Sequence, residues 1–102
     1  MNIFTESPSD LTAEVFESIK ESENVKIERI ISKGHTSPES GWHDQSRNEW
    51  VIVLKGAATI LFENNISAKL IAGDYINIDA HKKHKVSWTS PGIETIWLVV
   101  HY

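Results

Sequence analysis

Gly41-Trp42-His43-Asp44-Gln45-Ser46-Arg47-Asn48-Glu49-Trp50-Val51-Ile52-Val53-Leu54-Lys55-Gly56 and Gly73-Asp74-Tyr75-Ile76-Asn77-Ile78-Asp79-Ala80-His81-Lys82-Lys83-His84-Lys85-Val86-Ser87-Trp88 are the stretches from which the fold is read. In the second, Lys83 and Lys85 must face water, so strand alternation sends His84, Val86 and Trp88 the other way, into a core. In the first, Glu49, Val51 and Val53 form one face and Trp50, Ile52 and Leu54 the other, and both are largely apolar. Glu49 therefore opens a strand buried on at least one side. An ionised carboxylate there needs a cation or hydrogen-bond donors to offset its desolvation. His43 and Gln45 share its odd parity if the segment is extended, and the three side chains then converge with His84 across the interior.

Outward from these stretches the same period of two continues. Val25, Ile27 and Ile31 alternate with Lys26, Glu28 and Ser32 as in a half-buried strand. Further strands are expected at Glu49–Leu54, Ala57–Phe62, Ser67–Ile71, Tyr75–Ile78, Lys83–Trp88 and Ile93–Val100, each separated from the next by a turn residue or a polar break. Many short strands at such intervals point to an all-β antiparallel sandwich or barrel. Before them, Pro8, Ser9 and Asp10 give a helix-start signal, and Leu11, Val15 and Ile19 recur at i, i+4 and i+8. That spacing predicts a short amphipathic helix over Leu11 to Glu21 covering one end of the core. The chain thus divides into an acidic N-terminal segment, 1–24, and a barrel domain, 25–102.

Composition bounds the chemistry. The chain has 102 residues and no cysteine, which excludes a disulfide framework, a zinc-thiolate site and a thiol nucleophile. Any metal must sit on histidine and oxygen donors. The formal charge of −4 argues against a nucleic-acid partner. Residues 1–24 carry Glu6, Asp10, Glu14, Glu17, Glu21 and Glu23 against Lys20, so the barrel itself is close to neutral. No apolar run approaches a bilayer span and the N-terminus lacks the basic start of a secretory signal, so a cytoplasmic protein without membrane contact is expected.

The spacing of these residues resembles the cupins. Their first motif sets His-x-His shortly before a Glu and then a Gly; here His43-Asp44-Gln45, Glu49 and Gly56 take those places, with Gln45 at the second His. Their second motif runs from Gly to Pro-x-Gly and then His; Gly73 and His84 match, while Asp79 stands for Pro and His81 for Gly. Ser37 stands at the opening Gly and Trp88 at the closing Asn, and the resemblance covers about residues 35–100. It is that of a small single-domain bacterial cupin, RmlC-like, and it implies an antiparallel jelly-roll barrel, often dimeric. It also implies a divalent ion (Mn, Fe, Ni, Cu or Zn) on His43, Gln45, Glu49 and His84. Zinc phosphomannose isomerases resemble this set in using one Gln, two His and one Glu. An amide oxygen is a weaker, neutral ligand, which lowers affinity without abolishing the site.

Trp50 and Trp97 are expected to fill the core, and Trp88, sharing the parity of His84, to wall a pocket with Ile76, Ile78, Val86 and Val51. Trp42, beside His43, is placed as a lid. His35 and His81 lie in loops, and His101, next to the C-terminus, is expected to be exposed or at a dimer contact. Both faces of Ile93–Val100 are apolar, so another sheet or a second subunit must cover the outer one. Three functions fit: a metal-dependent enzyme of oxygenase or isomerase type, a metal-free barrel that binds a small metabolite, and a structural or regulatory dimerisation module.

Overall fold

The structure, a computed structural model, describes residues 2–5, 8, 10–38 and 41–102. Eight strands run in chain order: β1 (Val15–Glu21), β2 (Lys26–Ser32), β3 (Glu49–Lys55), β4 (Ala57–Phe62), β5 (Ser67–Ile71), β6 (Tyr75–Ile78), β7 (His84–Thr89) and β8 (Thr95–His101). They form a five-stranded sheet, β1-β2-β8-β3-β6, and a three-stranded sheet, β5-β4-β7, with every pairing antiparallel. The two sheets close on one core that includes Val51, Val53, Ile60, Phe62, Ile78, Trp97 and Val99. This is the expected jelly roll, and β4, β5 and β6 have the expected limits. No helix among the described residues is long and apolar enough to cross a membrane.

The expected helix over Leu11 to Glu21 is not there. Its second half is the edge strand β1, in which Val15 lies opposite Ile31 and Glu17 opposite Arg29. The spacing of Leu11, Val15 and Ile19 misleads because residues four apart share a face in a strand as well as in a helix. Pairing with the otherwise open edge of β2 satisfies backbone groups that a short solvated helix would hold only marginally, and Val15, Phe16 and Ile19 suit a strand. Ser9, from the helix-start signal, lies outside the described residues.

Strand register decides what faces inward. On β2 the opposite parity to the one expected turns into the barrel: Glu28 and Ile30 line the interior, while Ile27, Arg29 and Ile31 face outward. The outer face of β2 is covered at least in part by the chain's own N-terminal segment. Buried Arg29 donates from Nη1 to the carbonyls of Ile3 (3.2 Å) and Thr5 (2.7 Å), and from Nη2 to Glu17 (2.7 Å). Charge-assisted bonds of this kind are the strong ones, so Arg29→Ala is expected to cost about 2–4 kcal/mol. It should also speed limited proteolysis within residues 2–14 by about tenfold or more, with cleavage rate the readout.

Candidate functional site

Between the sheets lies a cavity of about 390 Å³. Val51, Ile60, Val86, Trp97 and Val99 form its apolar wall, and Glu28, His43, Gln45, Glu49 and His101 gather at its polar side. An apolar cleft with few convergent polar groups is the ordinary make-up of a small-molecule site. Glu49 is the hub. As the first residue of β3 it is paired with Ile78 on one side and His101 on the other, and its carboxylate is largely buried.

Three of the four candidate metal ligands, Gln45, Glu49 and His84, meet, and the fourth, His43, adjoins His84. Gln45 donates its amide Nε2 to Glu49 Oε2 in a short hydrogen bond, and His84 Nε2 stands 3.4 Å from the same oxygen. His43 is bridged to His84 through the backbone (N to O 2.8 Å, and 3.2 Å in return), with ring centroids 5.7 Å apart. The Ser37 hydroxyl accepts from Val86 N (3.0 Å), which leaves its proton for His43 Nε2 at 3.3 Å. His84 is buried behind Glu49 and does not line the cavity, whereas His43 stands at its mouth.

Electrostatics ties Glu49 to His84. Burial alone would raise the Glu49 carboxyl, but the hydrogen bond and charge of His84, with His101 and Gln45, hold it below its ordinary value. Burial would likewise depress His84, yet the bonds to Glu49 and to the Lys82 carbonyl, 2.9 Å from Nδ1, raise it. With Nδ1–H given to that carbonyl, neutral His84 turns its Nε2 lone pair toward the carboxylate. This is the arrangement by which a backbone carbonyl orients a ligating histidine.

Among the described residues no three of His, Asp and Glu form a ready-made metal cluster, His43 with Glu49 and His84 included, and the further donor beside Glu49 is Gln45. Its nitrogen faces Glu49, and only the amide oxygen can ligate a cation. A half-turn about the last side-chain torsion exchanges the two ends at little cost. The donor chemistry, imidazole and carboxylate with one amide oxygen, suits a divalent ion of the Mn to Zn series.

The pocket residues divide. Val51 and Val86 line the cavity; Ile78 and Ile76 belong to the core or pack against it. Trp88 is not in the pocket: it is 45% exposed and faces solvent. The register of β4 against β7 slips between Thr59, opposite Trp88, and Ile60, opposite Val86, so Ser87 is an extra residue that inverts the alternation beyond it. Trp97 lines the cavity instead, its indole N–H given to Ser32 Oγ at 3.2 Å. Trp42 is half-buried, with Lys85 Nζ 4.6 Å from its ring centroid. His101, expected at the surface, faces the cavity, because β8 runs on to the penultimate residue and keeps its parity with Trp97 and Val99. His35 and His81 are away from the cavity, His81 paired with Asp44 (2.8 Å) and His35 held by Lys33 N (2.9 Å).

Comparison with known proteins agrees with this architecture. The cupin domain family matches residues 28–101. A proposed mannose-6-phosphate isomerase of Ralstonia eutropha JMP134 is 39% identical, with a TM-score of 0.94 over 99% of this chain and 94% of its own. A cupin superfamily protein of Desulfitobacterium hafniense DCB-2 gives 18% identity and a TM-score of 0.76 over 93% and 82% of the two chains. An RmlC-like cupin of Methanocaldococcus jannaschii gives 20% and 0.72 over 94% and 85%. No curated protein matches the chain.

Proposed function

The chain belongs to the cupin domain family, and on that premise we propose that it binds a small molecule in its barrel beside a divalent metal ion held by His43, Gln45, Glu49 and His84. The observation that carries the reading is the meeting of His84 Nε2 and Glu49 Oε2 at 3.4 Å. His84 Nδ1 is committed to the Lys82 carbonyl, so in the neutral ring two acceptors face each other. A positive charge must sit with them, either a proton on His84 or a metal ion. A bound divalent ion would supply a Lewis acid that polarises a ligand oxygen.

The reaction class we favour is isomerase-like, with oxygenase chemistry the other candidate. A relative at 39% identity is a proposed mannose-6-phosphate isomerase, and the single Gln in the donor set is the feature by which the sequence resembles the zinc phosphomannose isomerases. The chain's own part is to orient the substrate against the apolar wall and exclude water. A metal-free binding barrel is the second reading, favoured by the Gln45 nitrogen turned toward Glu49.

Metal content separates the two. Chelator-treated protein, reloaded in separate samples with Mn, Fe, Ni, Cu or Zn, is expected to retain about one ion per chain of at least one of them by elemental analysis. Glu49→Gln should lose it. Protein that stays empty of all five overturns the metal reading and leaves the metal-free barrel.

A further inference from the structure

The cavity holds a second imidazole–carboxylate pair that the motif positions do not account for. His101 Nε2 and Glu28 Oε1 are 2.8 Å apart, with side chains 14% and 10% exposed, and both residues line the cavity. Register puts them there. His101 lies opposite Lys26 on β2 and opposite Glu49 on β3, so its ring stands in the wall between the two buried carboxylates. The same cavity is also lined by Glu14, which accepts a short hydrogen bond from Ser32. Three carboxylates thus face one cavity, and no Lys or Arg lines it among the described residues; none of the six undescribed residues is basic.

The basic side chains nearby do not line the cavity, although one of them touches a lining carboxylate. Lys26 reaches Glu28 Oε2 at 3.7 Å without lining the cavity, Lys82 lies over the Phe62 ring and Lys83 pairs with Glu63. Phosphate and carboxylate groups are recognised by guanidinium, ammonium or clustered backbone N–H donors. The charged groups of this lining are carboxylates, which accept instead, and carboxylates shielded from water repel an anion and favour hydroxyl and ammonium donors.

We infer that Glu28 and His101 form a second anchoring pair in the cavity, and that the cavity takes a polyol or amino sugar and discriminates against phosphate esters. The inference rests on the proposed small-molecule function and narrows it. It sets this chain apart from the substrate that its Ralstonia relative's name suggests.

The test uses the full chain after chelator treatment, because a divalent ion at Glu49 would itself add positive charge. Calorimetric titrations with D-mannose, D-mannosamine and D-mannose 6-phosphate are expected to show the first two binding about tenfold or more tighter than the ester. Glu28→Gln should weaken binding of mannosamine, the ammonium donor, by about tenfold and that of mannose by less. Should that variant fail to fold, His101→Gln is expected to weaken mannose binding by about tenfold. A tighter phosphate ester, unchanged affinities in the variants, or refusal of all three sugars overturns the inference. Zinc uptake in parallel samples keeps the two readings apart. Zinc binding without sugar binding defeats the inference alone, and sugar binding in the expected order without zinc defeats only the metal reading.

Discussion

Gly56→Ala is expected to remove about 2–5 kcal/mol of stability, a large share of the roughly 5–15 kcal/mol that holds a domain of this size. Gly56 turns the chain from β3 in one sheet to β4 in the other at φ +85°, a left-handed conformation that costs a residue with a Cβ about 1–2 kcal/mol. A Cβ there would stand 2.4 Å from Thr95 Oγ1, 2.8 Å from Thr95 Cα and 3.0 Å from the Glu94 carbonyl oxygen. Two of those atoms are backbone. The third belongs to a fully buried side chain that donates to the Ala57 carbonyl at 3.2 Å, so nothing can yield without opening the corner. Overpacking of this kind adds about 1–3 kcal/mol. Thermal melting should show a fall of about 15–30 °C. Gly73→Ala is the control: φ is +95° but no atom lies within 4 Å of the added Cβ, so only the conformational cost remains. Equal losses in the two variants would show that the approach to Thr95 is not what demands glycine.

The same physical logic explains what sequence reading reaches and where it stops. Alternation bounded by Lys55-Gly56, Asn64-Asn65 and Gly73-Asp74 places β4, β5 and β6 correctly, because period and turn chemistry agree there. Glu49, Gln45 and His84 converge as parity implies. Parity fails where the strand is not regular: one inserted residue at Ser87 turns Trp88 outward, and no residue type in Val86-Ser87-Trp88 announces it. Leu11, Val15 and Ile19 fit two periods at once, and only the partner β2 chooses between them. His101 is expected outside the site because residues near a chain end are normally frayed, whereas the paired register to Lys26 and Glu49 ties this one down. His81 is the converse case. It occupies the family's Gly position and adopts φ +64°, the backbone requirement persisting where the residue type has changed.

Removing the His84 ring should have the other large effect. His84→Ala leaves the Glu49 carboxylate buried with the Gln45 amide as its remaining close donor, and breaking a buried pair from one side costs about 3–5 kcal/mol. The pH dependence identifies the cause. Glu49 is held below its ordinary value near 4.5, so its contribution is present above that value and is lost as pH falls through the lower folded one. His84 is raised above its ordinary value near 6.5, so its contribution is complete below that value and is lost as pH rises through the folded one. Both are in full force only between those two ordinary values. Chelator-treated wild-type protein should therefore melt highest in that window and lose stability on both sides. In His84→Ala the alkaline loss should flatten, and a cycle with Glu49→Gln should give a coupling of about 1–3 kcal/mol in the window that shrinks toward pH 9. A divalent ion competes with the proton for the same lone pair, so adding zinc should lift the alkaline side of the wild-type profile and leave that of His84→Ala unchanged. An alkaline limb that ignores both the substitution and the metal would mean that His84 and Glu49 are neighbours without being partners.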